Sequence, residues 1–133
     1  MSDLLEALAS HPACDLIRKA DIDAFLARNS RALIFFTGDV AARAEGLDVA
    51  VVVRELATGF QGRLRVGLVD RRDEAALMAR FGVVVTPAVA YMRDGQPAEL
   101  VARMRDWPVF AQAAERLLAP AGEDPASGIG GHA

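Results

Sequence analysis

A chain of 133 residues with 53 % hydrophobic side chains can close one packed core and is too apolar for a disordered segment. The net charge of −3 argues against nucleic-acid binding, which rests on a basic face, and no apolar run reaches the ~18 residues of a membrane-spanning helix. The single cysteine, Cys14, excludes an internal disulfide, and two histidines, His11 and His132, are too few for a structural zinc site.

The chain begins acidic, Met1-Ser2-Asp3-Leu4-Leu5-Glu6, without the basic-then-apolar layout of a secretory signal, so a cytoplasmic protein is expected. Leu4, Leu5 and Leu8 fall at helical spacing over 3–9, with Asp3 and Glu6 as a start signal. His11-Pro12 breaks the pattern, and a short strand is predicted over 14–18. Asp21 is placed to cap a second helix with an apolar face of Ile22, Phe25 and Leu26. Ala32-Leu33-Ile34-Phe35-Phe36 is apolar throughout, as expected of a central strand covered on both faces.

Residues 40–47 carry little periodicity and read as a loop, punctuated by Gly46. Val49, Val52, Val53, Leu56 and Phe60 then repeat in steps of three and four. The β-branched run favours a strand, but Asp48 as N-cap and Gly59 as stop favour a helix over 48–58. A strand is predicted over 64–69, a helix from an Asp73 cap to Arg80, and a strand over 88–92. Asp94-Gly95 marks a tight hairpin, with the returning strand over 99–104. Asp106 caps a last helix with Pro108 in its first turn and Trp107, Phe110, Ala111, Ala114, Leu117 and Leu118 on its apolar face. The composition then turns to Pro, Gly and Ser. Residues 1–118 are therefore expected to form one domain and 119–133 a flexible tail.

The order α, β, α, β, α, β, α, β, β, α predicts an α/β fold with parallel crossovers, an antiparallel hairpin and helices on both faces of a mixed sheet. The stretch Phe81-Gly82-Val83-Val84-Val85-Thr86-Pro87 resembles the segment that carries the cis-proline loop in thioredoxin folds. That likeness implies a three-layer α/β/α sandwich and a cis Thr86-Pro87 bond exposing the backbone of Val85 and Thr86 to an extended peptide. Where a thioredoxin carries two cysteines, this chain reads Gly38-Asp39-Val40-Ala41-Ala42-Arg43. Thiol–disulfide exchange needs a thiolate and a second sulfur, so that chemistry is not expected here.

Three features are candidates for partner binding. Thr86 and Pro87 form the loop just described, or serve only to set a turn. Asp39, Glu45 and Asp48 follow the central strand, at the sheet end where ligands of α/β folds sit, and form an acidic patch or a set of helix caps. Trp107 opens an amphipathic helix, where core packing is the default and exposure would signal a hot spot. Arg71-Arg72 reads as a solvated loop, and Cys14 as a small, semi-buried hydrophobe. No nucleophile with a paired acid and base is apparent, so no catalytic residue, metal site or cofactor is expected.

The residues Leu33 to Asp39, the segment Leu47-Asp48-Val49-Ala50-Val51-Val52 with Glu55-Leu56, the stretch from Arg80 to Ala88, and Arg105-Asp106-Trp107 together resemble the HupG/HyaE family. The likeness extends over about 21–118. These are thioredoxin-like hydrogenase expression and formation proteins without the redox cysteines. The resemblance implies a non-enzymatic, cytoplasmic chaperone in [NiFe] uptake hydrogenase maturation. Its partner would be the small-subunit precursor with its twin-arginine signal. Matching the carboxylates of Asp39, Glu45 and Asp48 to those arginines is an expectation of this sequence rather than a family motif. Two other readings stand beside it: a redox protein using Cys14, and a generic thioredoxin-like interaction module. A homodimer is expected if the apolar residues of 83–85 or Trp107 are exposed.

Overall fold

A computed structural model describes residues 3–120. In chain order it has helix α1 (Asp3–Ala9), strand β1 (Cys14–Ile17), helix α2 (Ile22–Arg28), strand β2 (Arg31–Phe36) and helix α3 (Glu45–Gly59). Strand β3 (Arg65–Val69), a 3-10 turn (Arg71–Asp73) and helix α4 (Glu74–Phe81) follow. Strands β4 (Ala88–Arg93) and β5 (Gln96–Ala102) and helix α5 (Trp107–Leu118) complete the fold. The sheet order is β1-β3-β2-β4-β5. The first three strands run parallel, and β4 and β5 antiparallel.

The period-two alternation of strands divides the core. Leu33 and Phe35 of β2 join Val66, Leu68, Val89 and Tyr91 on the face covered by α1, α3 and α5. Ala32, Ile34 and Phe36 face the other way, against Ile22 and Phe25 of α2 and Leu77 and Phe81 of α4. All of these side chains are buried, which is why β2 carries no polar position between Ala32 and Phe36. Burial of a Phe or Leu side chain is worth about 1.5–3 kcal/mol, so both helical layers are held chiefly by this strand and its neighbours. The three-layer α/β/α sandwich with a mixed sheet is thus as expected.

Several boundaries differ from expectation for physical reasons. Helix α3 starts at Glu45, not Asp48. Gly46 lies inside its first turn because a Cβ there would sit 2.5 Å from the Thr37 carbonyl oxygen. The glycine marks close packing rather than a break. Strand β5 starts at Gln96, not Glu99, because Asp94 (φ 50°) and Gly95 (φ 82°) form a two-residue turn that returns the chain at once. It ends at Ala102, where Arg103 takes φ 69° and donates its N–H to the Pro87 carbonyl at 2.7 Å.

Asp21, Asp73 and Asp106 stand at N-cap positions, yet none makes a side-chain cap. Asp21 instead accepts the Arg18 N–H at 3.1 Å, and one Asp73 oxygen accepts both the Arg18 Nε–H and the Lys19 N–H at 2.8 Å. Asp21 thereby shapes the β1–α2 loop, and Asp73 ties that loop across to the β3–α4 loop. Helix α5 ends at Leu118. The expected tail falls, after Pro120, outside the described residues.

Candidate functional site

The C-terminal end of β2 meets the start of β4 at an open groove of ≈ 430 Å³. One wall is Thr37, Gly38, Asp39, Ala42 and Arg43; the other is the loop of Val84, Val85, Thr86 and Pro87. The Thr86–Pro87 peptide is cis, as the sequence predicts. The two walls touch at one point. Gly38 has φ 71°, and a Cβ on it would lie 2.5 Å from Thr86 Oγ1. Only glycine fits both that backbone conformation and that approach.

Of the residues singled out in the sequence, Asp39, Thr86 and Pro87 come together here. Asp39 is exposed at the rim. Its Oδ1 accepts the N–H groups of Ala41 and Ala42 at 3.1 and 3.3 Å, which shapes the turn and leaves Oδ2 without a hydrogen bond among the described residues.

Glu45 does not join the groove. Its carboxylate is held bidentately by Arg103, with Nη2 at 2.7 Å and Nε at 2.9 Å, and it accepts the Met104 N–H at 2.7 Å. The acidic patch therefore loses a member to a structural clamp between α3 and the β5–α5 turn. Asp48 is exposed on α3 and does not line the groove. Three carboxylates near in sequence are thus not one site, because helix α3 turns Asp48 away and Arg103 engages Glu45.

The Arg103 hydrogen bonds, then the Met104 N–H, hold the Glu45 carboxyl at about 2, below its usual 4.5. A carboxyl depressed in the fold stabilises it fully above pH 4.5 and loses that contribution as pH falls from there towards 2. A carboxyl titration followed by NMR is expected to place Glu45 near 2. In an Arg103→Met variant the midpoint should rise towards 4.5, and an unmoved midpoint would remove Arg103 as the cause.

Trp107 is 46 % exposed at the first residue of α5, so the core packing expected of it by default is wrong. It does not line the groove. It follows Met104, also exposed, in the segment joined to Pro87 through Arg103. Arg43, Val84 and Val85 line the groove without having been chosen as site residues. Val84 is 87 % exposed and Val85 is exposed, while Val83 is buried. The available signal is a second and third consecutive valine in a loop too short to bury all three.

Cys14 opens β1 and is 7 % exposed. Burial, then the neighbouring Asp15 carboxylate, pushes its thiol up to about 12. Thiolate character controls reactivity, so a redox role for Cys14 is disfavoured. The folded protein is expected to react with a thiol reagent such as DTNB at pH 8 only as fast as it unfolds, and stoichiometrically in denaturant. Rapid labelling of the folded chain would revive the redox reading.

The sequence profile of a family described as hydrogenase-1 expression protein HyaE matches residues 4–110. This chain belongs to that family. It is 41 % identical over 123 residues to the hydrogenase expression/formation protein HupG of Rhizobium leguminosarum bv. viciae, covering 90 % of this chain and 83 % of that protein. It is 33 % identical over 129 residues to the hydrogenase expression/formation protein HoxO of Cupriavidus necator, covering 95 % and 80 %.

Among solved structures, a protein described as HupG from Rhodopseudomonas palustris shares 34 % identity at a TM-score of 0.56, covering 81 % of this chain and 97 % of that one. A thioredoxin mutant from Halobacterium salinarum aligns at a TM-score of 0.67 with 22 % identity, over 79 % and 89 % of the two chains, which shows the shared fold. Membership in the hydrogenase expression/formation family places the protein in hydrogenase maturation. No helix among the described residues is long and apolar enough to cross a membrane.

Proposed function

We propose that this protein is a non-catalytic, cytoplasmic chaperone that holds the small-subunit precursor of an [NiFe] uptake hydrogenase until its cofactors are in place, before export by its twin-arginine signal. The observation that carries the reading is the groove beside the cis Thr86–Pro87 bond. It lies open, has no sulfur on either wall, and is bordered by the exposed apolar residues Val84 and Val85. A groove without a thiol suits holding an extended segment rather than exchanging disulfides with it. Of the three carboxylates considered for the signal arginines, Asp39 alone remains at the groove, with Oδ2 available to a guanidinium.

Capture of purified precursor by the immobilised protein tests this, with full-length precursor, precursor lacking the signal, and the isolated signal peptide. Capture that requires the signal supports the reading. Equal capture of the signal-free form moves the contact to the mature subunit and ends the role assigned to Asp39. Capture of neither, with self-association by ultracentrifugation, would favour a homodimer through the same apolar rim.

A further inference from the structure

We propose that Glu74, which does not touch the groove, is a positioning residue that sets its floor and through it the affinity for the partner segment. The role of the groove itself rests on the reading given under Proposed function. Glu74 is the first residue of α4 and only 3 % exposed. One carboxylate oxygen accepts the Gly38 N–H at 3.2 Å; the other pairs with the Arg71 guanidinium from the preceding 3-10 turn. Arg71 is therefore more than the solvated loop residue its sequence context suggests. It closes the solvent side of a buried carboxylate.

A carboxylate withdrawn from water is costly unless its lone pairs are used, and a well-packed apolar pair often serves stability as well or better. The pair is thus better explained by what it fixes than by what it stabilises. It fixes the backbone of Gly38. The Gly38 N–H goes to Glu74, and the Gly38 carbonyl accepts the Thr37 hydroxyl at 2.8 Å. Both backbone polar groups of this residue, one in each of its flanking peptide units, are bound by side chains and neither by a neighbouring strand. Gly38 in turn abuts Thr86 on the opposite wall. The chain of contact runs Arg71, Glu74, Gly38, Thr86, so helix α4 fixes how closely the two walls of the groove approach.

The full chain is compared with Glu74→Ala, Glu74→Gln and Arg71→Met. Amide exchange at Gly38 and calorimetric affinity for the small-subunit precursor are the readouts. Glu74→Ala is expected to speed exchange at Gly38 about tenfold beyond any change at the β3 amides, and to weaken precursor binding about tenfold. Glu74→Gln keeps an oxygen acceptor and is expected to restore most of both. Leu56→Ala, buried on the opposite face of the sheet, serves as a control that loses stability without losing affinity.

A folded Glu74→Ala protein with native Gly38 exchange overturns the proposal, as does one with native affinity. So does an equal loss of affinity in Leu56→Ala. Arg71→Met, at an exposed cation, takes the place of Glu74→Ala if the latter does not fold, with the same outcomes deciding. If the unmodified protein does not bind precursor, the chaperone reading fails, and Gly38 exchange alone upholds or overturns the positioning role.

Discussion

Replacing Gly38 by alanine is expected to destabilise the protein by about 2–5 kcal/mol, a large fraction of a small domain's stability. Two costs combine. An L-residue at φ 71° gives up roughly 1–2 kcal/mol to the left-handed conformation. The added Cβ would also stand 2.5 Å from Thr86 Oγ1 and 2.9 Å from Thr86 Cβ, and overpacking of this kind costs about 1–3 kcal/mol. The Thr86 side chain is short and cannot swing its own Cβ away, so the loop must move. A double-mutant cycle with Thr86→Gly separates the two costs. In that background Gly38→Ala should cost only the roughly 1–2 kcal/mol of its backbone. Urea denaturation supplies the measurement. A cost that stays the same in both backgrounds would mean that the walls do not meet at this point.

The same pair shows what a sequence can and cannot disclose. Strand β2 was legible because five consecutive apolar residues have one physical explanation, burial on both faces. The cis-proline loop was legible because a Thr-Pro between an apolar loop and a strand resembles a known segment. Helix α3 was only half legible. Its valines repeat with helical spacing, but its true start at Glu45 depends on Arg103, 58 positions away, and on a glycine packed against the Thr37 carbonyl. The aspartates before α2, α4 and α5 marked helix starts correctly. What they bind did not follow, because Arg18 and Lys19 offered Asp73 a partner that local spacing cannot reveal. Glu74 escaped notice for the same reason. Nothing in Asp73-Glu74-Ala75 tells a solvated helix start from a carboxylate buried beneath another loop.

Placing a charge at Val84 should, unlike Gly38→Ala, leave stability almost unchanged while strongly weakening binding. Val84 is 87 % exposed, so Val84→Asp removes little buried area and is expected to change stability by less than about 0.5 kcal/mol. If the precursor lays an apolar segment across the groove, the new carboxylate must be desolvated against it. Loss of a central apolar contact of this kind corresponds to about 2 kcal/mol or more, a fall in affinity of roughly 30-fold. Trp107→Ala probes whether the contact extends past Met104 onto α5. A loss there as large as at Val84 would join the two surfaces into one interface. A loss at Val84 alone would confine the partner to the groove. Native affinity in Val84→Asp would show that the loop bordering the cis bond is bystander surface. The precursor would then have to be held elsewhere on the domain, and Asp39 would lose its place in recognition along with the valines.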